Sequence, residues 1–89
     1  MPDNYILAQA YPNPFNPTTT ISFAVPVESK VLLEVYDISG RNISKLTDRN
    51  YKEGYHSINW NASGYASGVY FVKMTSGSFT NTQKLMLIK

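Results

Sequence analysis

Cysteine is absent from this 89-residue chain, so neither disulfide staples nor structural thiolate–metal sites are available to it. No apolar run approaches the roughly 20 residues that span a bilayer. No basic stretch followed by an apolar one, the pattern of a secretory leader, stands near Met1. Charge is scarce: 16% of residues are charged and the net charge is +2. The basic residues Lys30, Arg41, Lys45, Arg49, Lys52, Lys73, Lys84 and Lys89 are spread along the chain. Nucleic-acid modules concentrate such charge on one face, so no nucleic-acid partner is expected. The looser group from Arg41 to Lys52 reads as a solvated hairpin.

What is abundant is apolar and aromatic. Hydrophobic residues make up 43% of the chain, with seven tyrosines, four phenylalanines and one tryptophan. That excludes a disordered tail and favours the half-buried surfaces of strands. The length allows one small domain with one core. Met1 stands directly before Pro2-Asp3-Asn4, which reads as the start of an excised fragment, so a parent protein longer at its N-terminus is expected.

Period-two alternation recurs throughout, with no sustained helical stripe. Tyr5 to Ala10 reads as a short first strand. Tyr11-Pro12-Asn13-Pro14-Phe15-Asn16-Pro17 follows, and its prolines remove backbone donors and hold φ at about −65°. This segment is expected to be an extended, polyproline-like crossover or edge, with Tyr11 and Phe15 pinning it to the core. Thr18 to Val25 places Ile21, Phe23 and Val25 on one face. Val31, Leu33 and Val35 alternate against Leu32, Glu34 and Tyr36. Asp37-Ile38-Ser39-Gly40-Arg41 supplies a turn acceptor and a glycine suited to positive φ.

Asn42 to Leu46 reads as a weaker strand, because Ile43 and Leu46 are three apart and hint at a bulge or early end. Asp48 to Gly54 reads as a polar turn. His56, Ile58 and Trp60 alternate with Tyr55, Ser57 and Asn59. A loop from Asn61 to Gly68 leads to a strand over Val69–Thr75, a turn at Ser76-Gly77-Ser78 and a last strand from Phe79 to about Ile88. About seven strands at spacings near 8–12 residues predict an all-β, seven-stranded immunoglobulin-like antiparallel sandwich, with Trp60 between the sheets.

Catalytic chemistry finds no foothold. Nucleophilic catalysis needs a base, an orienter and a nucleophile together. His56 is the one histidine, and its place in the alternation suggests an inward or groove-lining ring. The carboxylates Asp3, Glu28, Glu34, Asp37, Asp48 and Glu53 fall mostly in or beside expected turns, where they serve as caps and turn acceptors. Asp48 to Glu53 has oxygen ligands at alternate positions but lacks the glycine and glutamate of an EF-hand loop. No glycine-rich phosphate loop follows a strand and opens a helix. The reading is a non-enzyme with no cofactor.

The motifs in their order are more specific than any one alone. Tyr11-Pro12-Asn13-Pro14-Phe15-Asn16-Pro17-Thr18-Thr19 leads into Ile21-Ser22-Phe23. Leu33-Glu34-Val35-Tyr36-Asp37-Ile38-Ser39-Gly40-Arg41 and Gly54-Tyr55-His56-Ser57-Ile58-Asn59-Trp60 come next. Ala66-Ser67-Gly68-Val69-Tyr70-Phe71-Val72-Lys73 and Thr82-Gln83-Lys84-Leu85-Met86-Leu87-Ile88-Lys89 close the chain. From about Leu7 to Lys89 this succession resembles the C-terminal sorting domains of the type IX (Por) secretion system, found on proteins of the Bacteroidetes–Chlorobi group.

The resemblance implies a seven-stranded immunoglobulin-like sandwich acting as a secretion address at the end of a cargo protein. It implies transit through the periplasm, reading by the outer-membrane translocon, removal by a sortase-like protease, and a cargo at the cell surface or outside the cell. Residues 1–6 would be the start of the excised fragment or a linker from the cargo, and residues 7–89 would form the sorting domain. Lys84, Leu85, Met86, Leu87, Ile88 and Lys89 would be the recognition motif. Tyr11, Pro12, Asn13, Pro14, Phe15, Pro17, Gly40, Trp60 and Gly68 would be structural.

From pattern alone two readings of Lys84–Lys89 stand open. As an edge strand, its free backbone groups pair with a receptor sheet by β-augmentation; as a plain core strand, it carries lysine to guard its edge. The resemblance favours recognition. A second function class is an immunoglobulin-like adhesion or carbohydrate-binding module that uses exposed members of Tyr5, Tyr51, Tyr55, Tyr65 and Tyr70 for stacking.

Overall fold

The computed structural model describes residues 2–88. Seven strands form two antiparallel sheets packed face to face: β1 (Ile6–Leu7), β2 (Thr18–Val25), β3 (Ser29–Asp37), β4 (Asn42–Tyr51), β5 (Gly54–Asn61), β6 (Gly68–Ser76) and β7 (Phe79–Leu87). The three-stranded sheet has the order β1-β2-β5 and the four-stranded sheet β4-β3-β6-β7. This is the immunoglobulin-like sandwich that the strand count predicts.

The alternation decides which side chains meet. Ile21, Phe23 and Val25 of β2 face Val31, Leu33 and Val35 of β3 and Val72 and Met74 of β6 across the interior, all buried. Each such side chain contributes roughly 1.5–3 kcal/mol by leaving water, so this layer dominates the favourable side of folding. Trp60 lies between the sheets, against the rings of Phe15, Tyr65 and Tyr70 at centroid distances of 5.7, 5.6 and 5.8 Å. The buried hydroxyls are satisfied: Thr19 Oγ1 donates to the Pro12 carbonyl at 2.7 Å and Ser76 Oγ to that of Lys30 at 2.8 Å.

Three expectations are corrected. β4 runs on to Tyr51, and the turn expected at Asp48–Gly54 shrinks to Lys52-Glu53. An edge strand facing water needs no apolar alternation, and ion pairs of Asp48 with Lys30 and Lys45, both at 3.6 Å, support it instead. Charge along an edge also blocks unwanted strand pairing. The Ile43/Leu46 spacing does mark irregularity, though not an early end. Register shifts opposite Leu33/Glu34 and Val35/Tyr36 leave Leu46 and Ile43 as the extra residues of β4, and both pack against the core. A bulge re-aims a side chain, which is how residues three apart reach one face.

The third correction concerns the proline-rich crossover. It is bent rather than extended, and only one of its rings pins it. Phe15 is buried, whereas Tyr11 is 81% exposed. Tyr11 instead bonds to the three-stranded sheet through its backbone, exchanging N–H···O=C bonds of 3.0 Å with Thr20.

Gly40 closes the β3–β4 turn at φ +87°, where any Cβ is strained. Its N–H donates to the Asp37 carbonyl at 3.0 Å. Gly68 opens β6 at φ +153°, directly opposite Leu87.

Candidate functional site

The terminal strand β7 lies at the edge of the four-stranded sheet, paired on one side with β6. Its alternation splits the motif expected to be recognised. Leu85 and Leu87 point into the core, while Lys84, Met86 and Ile88 face outward. Lys89 lies outside the described residues.

The other side of β7 is not open along this stretch. The Phe15 N–H donates to the Met86 carbonyl and the Ile88 N–H to the Phe15 carbonyl, both at 2.9 Å. Two residues earlier, Asn13 continues the ladder with its side-chain amide. Nδ2 donates to the Lys84 carbonyl at 2.9 Å, and the Met86 N–H donates to Oδ1 at 3.0 Å. Asn13 and Phe15 thus act as a short surrogate strand covering 84–88. The carboxamide suits the task because it sets a donor nitrogen beside an acceptor oxygen, as a peptide unit does. Phe15 seats the arrangement by placing its ring against Trp60. From the Lys84 carbonyl to the Ile88 N–H, the backbone groups expected to be free for strand addition are therefore occupied.

Asn13→Ala removes the acceptor of the Met86 N–H and the donor to Lys84. The expected outcome is exchange of the Met86 amide faster by about tenfold, the equivalent of one net hydrogen bond of roughly 1 kcal/mol or a little more. Leu85 and Leu87, whose backbones alternate toward β6, keep their protection. Hydrogen exchange followed residue by residue reads this difference.

The turn between β3 and β4 is equally well held. Asp37 Oδ1 accepts from the Ser39 N–H at 3.0 Å, the Ser39 hydroxyl at 2.6 Å and the Arg41 N–H at 3.0 Å. Its Oδ2 accepts from Arg41 Nε and Nη2 at 3.1 and 3.0 Å. Arg41 is thus an ion-pair partner rather than a merely solvated side chain. These bonds favour the carboxylate, the Ser39 hydroxyl first and the Arg41 N–H next, and hold the Asp37 pKa at about 2 against an ordinary 3.8.

A carboxyl depressed in the folded state stabilises above its unfolded pKa. Its contribution is complete above about pH 4 and lost as pH falls through about 2. A carboxyl-carbon NMR titration should place the Asp37 midpoint near 2; a midpoint at the ordinary 3.8 contradicts this geometry.

The turn presents Ile38, 78% exposed, over the outer face of the four-stranded sheet. There Tyr36, Ile38, Phe71, Lys73 and Thr82 line an open hollow of about 320 Å³ together with Asp37 and Gly40.

His56 takes a structural place, half-buried, its ring 5.5 Å from Phe23 and 4.8 Å from Tyr51, with Nε2 2.7 Å from the Lys52 carbonyl. Among the described residues no three metal-ligating side chains come together. The tyrosines offered for sugar stacking do not form a row. Tyr51 and Tyr70 are buried, Tyr5 stacks on Phe79, Tyr65 packs on Trp60, and Tyr55 alone is exposed.

The family of secretion system C-terminal sorting domains matches residues 9–89. The chain belongs to that family. No curated protein matches it. The family is a secretion signal and not a catalytic one, so this sorting domain serves type IX export of a fused cargo that ends up secreted or at the cell surface. The surrogate strand from Asn13 to Phe15 and the hollow under Ile38 were not legible in the sorting domain's sequence. Each joins segments far apart in the chain, and asparagine between prolines reads locally as a turn residue.

Proposed function

We propose that this domain is an export address read in its folded form by the outer-membrane translocon of the type IX system, with β7 at the centre of recognition. Residues 7–89 form the address and residues 1–6 lead to the cargo. The cargo passes through the periplasm, and a sortase-like protease removes the domain once the cargo has crossed. The observation carrying this reading is the family match over residues 9–89, joined to the order of the terminal strand. Strand β7 is held on both sides, by β6 and by the crossover. A segment so fixed presents Lys84, Met86 and Ile88 in one defined arrangement, which lowers the ordering cost of binding.

The test is a periplasmic reporter carrying residues 2–89 at its C-terminus, expressed in a host with this secretion system. Fractionation should find the reporter in the surface or medium fraction, and mass spectrometry should find it shortened by the domain. Accumulation in the periplasm, as for the reporter alone, overturns the address. Export at full length leaves the address standing and removes the protease step.

A further inference from the structure

The two outer faces of the sandwich differ in chemistry. Over most of its length the face of the three-stranded sheet carries paired hydroxyl and amide residues without charge, Thr18 opposite Asn61, Thr20 opposite Asn59 and Ser22 opposite Ser57, and at one end Ile6 and Tyr55 flank Ala24, 41% and 71% exposed. These groups also satisfy one another, as when Thr20 Oγ1 donates to Asn59 Oδ1 at 2.7 Å. That polar stretch is well hydrated and has little to gain from burial, and the apolar end beside it has no lysine among its strand partners.

The face of the four-stranded sheet is different. Tyr36 pairs with Phe71, Phe71 with Lys84, and Val69 with Met86, so these side chains adjoin on one surface. Ile38 and Met86 add apolar area that folding leaves in water, 78% and 39% exposed, and Ile88 continues it at 52%. An apolar patch contiguous across three strands and a turn marks an interaction surface more often than a chance cluster.

The charges around it are unbalanced in use. Both carboxylates nearby are already engaged. Glu34 accepts from the Tyr36 hydroxyl at 3.0 Å and from Asn42 Nδ2 at 2.7 Å, and Asp37 is held by Ser39 and Arg41. Lys73 and Lys84 make no ion pair among the described residues, although Glu34 lies across the strand from Lys73. The surface therefore offers an apolar centre with two lysines at its rim that no carboxylate contacts among the described residues.

We propose that the outer face of the four-stranded sheet, centred on Tyr36, Ile38, Phe71 and Met86 and rimmed by Lys73 and Lys84, is where a protein of the secretion machinery docks. That partner inserts an apolar side chain into the hollow under Ile38 and sets carboxylates against the two lysines. The proposal rests on the sorting reading above. It assigns recognition to a side-chain surface that includes the outward half of the terminal motif, rather than to strand addition along 84–88, where the crossover already holds the backbone.

The experiment uses the exported reporter fusion, with the unsubstituted domain as reference. If that reference stays in the periplasm, the sorting reading fails; every other outcome bears on the face alone. Ile38→Glu with Met86→Glu should lower surface reporter by at least about tenfold, the loss expected when hot-spot contacts are replaced by charge. Lys73→Glu with Lys84→Glu should do the same through repulsion of the partner's carboxylates. Ser57→Glu with Asn59→Glu, on the opposite face, should export normally.

Purified variants are checked for an unchanged thermal midpoint, and Ile38→Ser with Met86→Ser replaces the first pair if glutamate disturbs the turn. Normal export of the apolar-to-charged pair overturns the docking face. Normal export of the lysine reversal overturns the acidic partner. Equal loss from the opposite-face pair overturns the assignment to one face.

Discussion

Phe15→Ala is expected to lower the free energy of unfolding by about 3–5 kcal/mol, the range for truncating a buried phenylalanine. For a domain of this size each kcal/mol moves the thermal midpoint by about 4–8 °C, so the fall should be on the order of 15 °C or more. The magnitude follows from what the ring does. Phe15 is 2% exposed, lies against Trp60, and fills the interior from a crossover rather than from a strand. Its removal opens a cavity and also unseats the two backbone bonds that hold Met86 and Ile88. The hydrogen bonds are the smaller part, each worth roughly 0.5–1.5 kcal/mol net.

Tyr11→Ala, four residues earlier in the same motif, should stay within about 0.5 kcal/mol because its ring is in water. Thermal denaturation of the two variants side by side checks the claim. Equal effects would mean that the crossover does not pin the fold through Phe15.

The second large effect is expected inside the terminal strand, where neighbours should behave oppositely. Leu85→Ala and Leu87→Ala each remove a side chain from the core and should cost about 2–5 kcal/mol. Met86→Ala, between them, should change stability by less than about 0.5 kcal/mol. Denaturant melts of the three variants give these values directly. Loss of export in the leucine variants then follows from a loosened fold, whereas loss in Met86 variants with an unchanged melt reports on recognition. Similar destabilisation at all three positions would contradict the alternation of β7. Deleting the whole motif is less informative, because it removes core and surface together.

How much of this was legible beforehand depends on which force shapes each segment. β2 matches its expected span of Thr18–Val25, because one buried face imposes strict alternation there. β3, β5 and β6 follow for the same reason, and Trp60 lies between the sheets as expected. The apolar pattern of β4 stops short of the strand's end because its second half is an edge in water, where Asp48, Arg49 and Asn50 are supported by pairing and charge rather than by burial. Tyr11 and Phe15 look alike in a proline-rich run, and only the packing separates them.

For the terminal motif, alternation alone assigns Leu85 and Leu87 to the opposite side from Lys84, Met86 and Ile88. What occupies the outer edge of β7 could not be read. Its partner, Asn13, lies more than seventy residues away in sequence. A carboxamide standing in for a peptide group leaves no periodic trace.

If this sandwich is itself an export address, protease shaving of intact cells should report it, using a reporter with and without residues 2–89 at its C-terminus. Externally added protease should digest the tagged reporter while the untagged one stays protected. Disabling the secretion system should restore protection to the tagged reporter. A tagged reporter that remains shielded in cells with an intact system would contradict it.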